Sequence, residues 1–272
     1  MASEKDYVLG THDEEIERLG LQHHVWRARA SDAWRRAGFD AGQTLLDVGC
    51  GPGWATLDLA GIVGRRGRVV GVDRSRRFLD AAAAAARARG LAQVEWHELD
   101  LDTDELPRLA ADGAWSRWVY AFVRRPRVLL EKVARALRPG GTMVLHEYAD
   151  YRSWRLSPER PEFVAFVQEV VASWREHGGE PDVGLTLPLW LAELGFEVRE
   201  LRPWVEAPQR GDFFWRWPDA FVDVGVRRLM DLGRIPESRG REIQRAFRES
   251  QDSPGAFLLT PLVLEIIAVK RG

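Results

Sequence analysis

The chain has 272 residues, 45% of them hydrophobic and 29% charged, enough for one full core with room for a lid. Its formal net charge is -2 and its isoelectric point about 6.3, so no global basic field draws it to nucleic acid. No apolar run approaches the roughly 20 residues that span a bilayer, and a single cysteine, Cys50, excludes a disulfide framework or a Cys-rich zinc site.

The opening stretch MASEKDYVLGTHDEEIERLG is too acidic and polar for a signal peptide, so a soluble cytoplasmic protein is expected, with no membrane or nucleic-acid partner, as monomer or homodimer. Residues 13–37 carry Ile16, Leu19, Val25, Trp26, Ala30 and Trp34 at helical spacing and predict one or two helices. A buried strand is expected over 44–48 and a helix over 54–63. A second strand over 68–72 is closed by Asp73. Ser75 is placed to cap the next helix, which runs through FLDAAAAAARARG and stops at Gly90. Further strands are expected at 94–98, 114–120 and 142–146, with a helix over 127–137 and a tight RPGG turn at 138–141.

Beyond residue 150 the rhythm changes. Helices are predicted over 159–177, 186–194, 217–232 and 237–250, an aromatic- and Pro-rich loop over 202–216, and strands over 196–201 and 262–270. The pattern predicts one α/β domain: a doubly wound, mostly parallel seven-stranded sheet with an antiparallel last strand, plus N-terminal helices and a helical lid insert. Residues 1–43 would form the cap, 44–150 the binding core, and 151–185 with 202–255 the lid segments.

The chemistry starts at TLLDVGCGPGWATLDLA (44–60), an apolar strand that ends in an aspartate and three glycines at alternate positions. Gly49 and Gly51 permit close backbone approach, and Gly53 lets the following helix pack near the strand. A tight connection would explain the glycines alone. Asp73, about two dozen residues past the first glycine, adds a carboxylate suited to both hydroxyls of a ribose. The spacing G-x-G-x-G followed by bulky Trp54 departs from the dinucleotide fingerprint, and Asp47 would repel a pyrophosphate. A nucleoside with a positive centre and an ammonium group fits that charge better.

Five segments in order resemble the class I S-adenosylmethionine-dependent methyltransferases: DVGCGPG (47–53), VVGVDRS (69–75), HELDLDTDELP (97–107), GAWSRWVYAFV (113–123) and LRPGGTMVLHEY (137–148). The opening YVLG…ERLGLQ is similar to the lead of small-molecule enzymes related to the ubiquinone/menaquinone C-methyltransferases. The resemblance implies S-adenosylmethionine as cofactor. Asp47, Gly49 and Gly51 would hold its methionine portion, Asp73 its ribose, and Arg74 would lie beside the adenine. Asp100 would accept from the adenine amino group and the Leu101 N–H would reach a ring nitrogen, with Asp102 the rival if the register differs by two. The Ser116 carbonyl would face the ammonium. Tyr7 and Gln22 would close over the methionine end, or serve only helix packing.

Transfer from a sulfonium needs mainly an in-line approach, with a base only where the acceptor must lose a proton. His146, in HEYADY at the end of the fifth strand, is the natural base by pKa, against a plain reading as a satisfied strand-end residue. His23 or His24 on the N-terminal helix could face the site, but adjacent residues do not share a helix face. Nothing has metal-ligand spacing. Arg117 could bind a substrate carboxylate or pair with Asp102 or Glu105. Arg117, Trp118, Tyr120 and Tyr148 are the acceptor-side candidates. So are lid aromatics, above all Trp154 and Trp215, with Trp174, Trp190, Trp204 and Trp217 either walling a chamber for a planar acceptor or simply packing. The expected activity is methyl transfer to O, N or C of a small molecule, plausibly an aromatic secondary metabolite. The alternatives are a tRNA or protein methyltransferase, or a cofactor-binding protein of this fold with a non-methylating role.

Overall fold

The computed structural model describes residues 13–272. One long helix, α1 (Asp13–Arg36), fills the stretch where one or two were expected. Then follow β1 (Thr44–Val48), α2 (Trp54–Val63), β2 (Arg68–Asp73), α3 (Arg76–Ala88), β3 (Val94–Glu98), β4 (Ala111–Arg117), α4 (Pro126–Ala136) and β5 (Leu137–Asp150). The second half adds β6 (Arg155–Ser157), α5 (Pro161–Glu176), α6 (Leu187–Glu193), β7 (Phe196–Trp204), α7 (Arg216–Asp231), α8 (Glu237–Gln251), β8 (Phe257–Leu259) and β9 (Leu262–Lys270).

The seven-stranded sheet has the order β3-β2-β1-β4-β5-β9-β7. β1 to β5 run parallel, and β9 lies antiparallel between β5 and β7. This is the doubly wound sheet expected from the sequence, and the order reverses between β1 and β4, where such sheets open a crevice. Side-chain alternation covers both faces. Leu46, Val70, Ala114, Leu145 and Ile266 enter one apolar cluster, with α4, α5 and α7 residues. Their neighbours Leu45, Val69, Trp115, Val144 and Ile267 enter the other, with Trp34 of α1 and Leu59 of α2. Local signals set the helix ends: Ser75 Oγ accepts from the Phe78 N–H at 3.3 Å, and proline occupies the first turns of α4 and α5.

Several boundaries differ from the sequence reading, and RPGG (138–141), expected as a tight turn, falls within β5. β4 lies three residues earlier than 114–120, because Trp118 turns into positive φ (53°) and the Glu147 carboxylate takes the N–H groups of Val119, Tyr120 and Ala121. The apolar run WVYAFV is a buried loop, which period alone does not separate from a strand. β5 and β7 outrun their predicted ends because β9 supplies partners as far as Asp150 and Trp204. The β6–β8 ribbon, with three residues per strand, carried too little pattern to be read. Among the described residues no helix is long and apolar enough to cross a membrane.

Candidate functional site

At the carboxyl end of β1 the backbone takes positive φ at Gly49 (67°), Gly51 (53°) and Gly53 (80°). The Cys50 N–H donates to the Val72 carbonyl at 3.0 Å, and the Gly51 N–H donates to the Asp73 carboxylate at 2.9 Å. A Cβ on Gly53 would lie 2.7 Å from Ala82 of α3 and 2.8 Å from Trp96, so this glycine serves helix packing. A Cβ on Gly49 would meet Val119 at 2.3 Å, while Gly51 has nothing within 4 Å and opens on the cleft. Gly49→Ala is therefore expected to destabilise the fold by about 1–2 kcal/mol from the left-handed conformation alone. The denaturation midpoint of Gly49→Ala should recover in part when Val119→Ala is added, since that removes the contacting methyl groups.

The cleft above this turn spans about 1070 Å³, including the part open to solvent. It brings together Gln22, Asp47, Gly49, Gly51, Asp73 and Arg74 from α1, the glycine turn and the β2 tip. Asp100, Leu101, Asp102, Arg117 and Trp118 close the other side, and His23 reaches in from α1. Asp73 accepts the Gly51 and Ser75 N–H groups, one on each oxygen, at 2.9 Å. The Arg74 N–H is a further contact of the same carboxylate. The Asp100 carboxylate accepts the Asp102 N–H at 3.0 Å. Asp102 Oδ1 takes the N–H of Arg124 at 2.9 Å and Arg125 at 3.3 Å, tying this turn to the loop after β4. Lys132, buried on α4, donates to the carbonyls of Leu101 (3.0 Å) and Asp104 (2.7 Å) and anchors the turn from below.

Burial pushes the Asp47 carboxyl up to about 7, although it accepts from Thr56 Oγ1 at 2.6 Å. Burial also raises Asp73 and lowers the Arg117 guanidinium to about 10. Arg117 does not pair with Asp102 or Glu105. The Asp102 carbonyl is taken by Arg125 at 2.5 Å, and Glu105 pairs with Arg135 at 3.2 Å. Arg117 instead donates from Nη2 to His23 Nδ1 at 3.3 Å, and His23 Nε2 meets Asp58 at 3.0 Å. Asp58 carried no signal in the sequence, because its role comes from α2 lying against α1.

The remaining candidates lie elsewhere. His146 is fully buried behind Trp115 (ring centroids 4.8 Å), its Nε2 2.9 Å from Glu265. Burial lowers its pKa despite that bond. It does not line the cleft. Ser116 is buried in β4, and Tyr120 is buried with its hydroxyl unpartnered. Tyr148 and Trp154 line a smaller cavity of about 240 Å³ with Tyr151, Trp217 and Phe221, and Gln22 borders both cavities. Trp217 stacks on Trp118 (5.2 Å, 8°) and donates to Gln22 Oε1 at 3.2 Å. Trp118 in turn stacks on Tyr148 (5.3 Å, 12°). Trp215 packs near Phe247 and Trp174 against Phe122 and Tyr151, outside both cavities. Tyr7 lies outside the described residues. Trp54, noted in the sequence only for its bulk after the glycine turn, also lines the cleft, as do Phe78 and Phe122, which were not singled out because isolated aromatics read as core. Among the described residues no group of His, Cys, Asp and Glu is arranged to hold a metal ion.

Residues 45–141 match the family described as methyltransferase domain. Over 140 residues the chain is 36% identical to the trans-aconitate 2-methyltransferase of Azoarcus sp. (strain BH72), covering 50% of this chain and 52% of that protein. Over 159 residues it is 33% identical to the 2-phytyl-1,4-naphtoquinone methyltransferase of Thermosynechococcus vestitus, covering 57% and 66%. Over 128 residues it is 32% identical to the demethylmenaquinone methyltransferase of Lactococcus lactis, covering 46% and 49%. The chain spans about half the length of the curated relatives it matches. Among solved structures, a Bacillus halodurans C-125 protein aligns with TM-score 0.61 at 18% identity, over 89% of this chain and 98% of that one. The [4+2]-cyclase SpnF aligns with TM-score 0.55 at 22% identity, over 89% and 81%. At these identities the likeness is one of fold.

Proposed function

We propose that the chain, whose residues 45–141 match the methyltransferase domain family, is a class I S-adenosylmethionine-dependent enzyme that transfers a methyl group from this cofactor to a planar, largely apolar small molecule. The single observation that carries the cofactor reading is the convergence of Gly51, Asp73 and Asp100 on one cleft. Gly51 offers bare backbone, and Asp73 offers a cleft-lining carboxylate to a vicinal diol. Asp100 and Leu101 supply an acceptor and an N–H for an adenine edge.

Bound there, the cofactor supplies a methyl group on a sulfonium centre that needs no further activation. What the protein adds is orientation and exclusion of water. His146 lies outside the cleft and the His23 Nδ1 lone pair already accepts from Arg117, so neither histidine is assigned a proton-transfer step. The acceptor class rests on the aromatic walls. Trp118 and Phe122 face the cleft, and the Trp217, Tyr148 and Trp154 cavity adjoins it across Gln22. Relatives named for naphthoquinone and menaquinone methylation support a planar acceptor. Purified protein incubated with methyl-labelled cofactor and a size-fractionated cell extract should place label in the small-molecule fraction. Label confined to RNA or protein would refute the acceptor class.

Asp47 gives the reading a pH signature. Its carboxyl is raised to about 7 in the folded chain against about 3.9 in an unfolded one. The folded state therefore holds an extra proton between those values, and the contribution of Asp47 to stability declines as pH rises from about 4 to about 7. An ammonium beside Asp47 favours the ionised form, so the affinity for S-adenosylhomocysteine should rise between pH 6 and 7.5. Asp47→Asn should flatten that rise in a calorimetric pH series, and an unchanged slope would remove Asp47 from the ammonium site.

A further inference from the structure

Arg117, the last residue of β4, lies against the cleft with its guanidinium carbon 5.2 Å from the Trp118 ring centroid and 5.9 Å from that of Trp115. Among the described residues no carboxylate stands within 4.0 Å of it, and its Nη1 is buried without a hydrogen-bond partner. Asp47 and Asp58 favour its charge from a distance without bonding it, so the buried Nη1, which can only donate, lacks the acceptor that a ligand could bring.

Its one side-chain partner fixes the protons of a chain of contacts. Because Nη2 donates, His23 Nδ1 must accept, at 3.3 Å. The ring proton then sits on Nε2 and is donated to Asp58 Oδ2 at 3.0 Å. Asp58 is held in turn by two bonds from Arg27, at 2.7 and 2.9 Å. The relay crosses from α2 through α1 to β4, and its free end is a donor at the cleft.

We infer that Arg117 is a carboxylate receptor and that His23, oriented by Asp58, is the positioning residue that aims it. Asp47, Asp73, Asp100 and Asp102 also line the cleft, so a dianionic phosphate would meet four carboxylates, whereas one carboxylate beside Arg117 leaves Asp47 for an adjacent ammonium. The amino-acid end of the cofactor has that charge arrangement, and a carboxylate on the acceptor is the other source. The inference rests on the cofactor reading above.

The experiment is calorimetry of wild type, Arg117→Gln, His23→Ala, His23→Asn and the Arg117→Gln/His23→Ala double variant. The probes are S-adenosylhomocysteine and 5′-methylthioadenosine, which shares the nucleoside and lacks the amino-acid end. Arg117→Gln should weaken S-adenosylhomocysteine about 10- to 100-fold and 5′-methylthioadenosine less than about 2-fold. His23→Ala should weaken the first probe several-fold, His23→Asn should recover part of it, and the double variant should be no weaker than Arg117→Gln alone. That non-additivity separates positioning from a purely structural role. If S-adenosylhomocysteine is indifferent while benzoate binds the saturated wild type and not Arg117→Gln, the carboxylate is the acceptor's and the receptor stands. Equal losses for both nucleosides, or no loss of any probe, overturn the inference. Wild type that binds neither nucleoside refutes the cofactor reading itself, and the receptor with it.

Discussion

Glu265→Ala is expected to cost about 2–4 kcal/mol of folding free energy, read as a fall in the urea midpoint at unchanged slope. Glu265 is fully buried on β9 and binds Arg36 of α1, His146 Nε2 of β5 at 2.9 Å and Trp204 Nε1 of β7 at 3.3 Å. Removing it leaves a buried imidazole N–H and an indole N–H without their acceptor and takes one of three carboxylates from Arg36, which keeps Asp32 and Glu200. Burial acts to raise the Glu265 carboxyl, but the bonds from His146 and Arg36 outweigh it and hold the carboxyl below the usual range. A depressed carboxyl stabilises above its unfolded value, near 4.3, and that contribution is lost as pH falls through the folded one. His146, lowered by burial, acts in the same direction below about 6.5. The variant should therefore lose part of the wild type's acid sensitivity as well as its stability, and a wild-type midpoint would show the cluster to be energetically idle.

Asp73→Ala is expected to weaken S-adenosylhomocysteine by about 1–3 kcal/mol, or some 5- to 150-fold, through loss of charge-assisted hydrogen bonds to the ribose. The same carboxylate receives the Gly51 and Ser75 N–H groups, so the variant also loosens the loop that faces the ligand. Asp73→Asn separates the two effects. Its amide oxygen can still accept one backbone N–H, and the remaining loss reports the charge and the second ribose bond. Unchanged affinity in both variants would contradict the ribose assignment.

What the sequence made legible was local. The Thr44–Val48 strand, the glycine turn and the aspartate closing β2 follow from period, turn chemistry and spacing, and each lies within a few residues of where it was expected. The Ser75 cap is likewise a contact between neighbours in the chain. What stayed hidden acts through space. Glu147 ends β4 from the next strand, and Lys132 holds the Asp100–Asp104 turn from α4. The Asp58–His23 bond joins residues 35 positions apart. His23 and His146 were both visible as histidines, yet what each can do depends on a partner that no spacing announces. The aromatic lid was ambiguous for another reason. A tryptophan facing a cavity and one facing a core obey the same hydrophobic pattern, and only packing sends Trp217 to one and Trp215 to the other.

The position of β9 between β5 and β7 sets an order of assembly. During synthesis β3, β2, β1, β4 and β5 leave the ribosome in a mutually pairing set, whereas β7 emerges with no neighbour to join. The free rim of β5 stays open until the α7, α8 and β8 segments have followed, an interval in which an unpaired strand can recruit another nascent chain. When β9 finally inserts, it closes both rims at once and delivers Glu265 to its three partners. Pairing of β9 and desolvation of that carboxylate are thus coupled, since the strand that joins both neighbours carries Glu265.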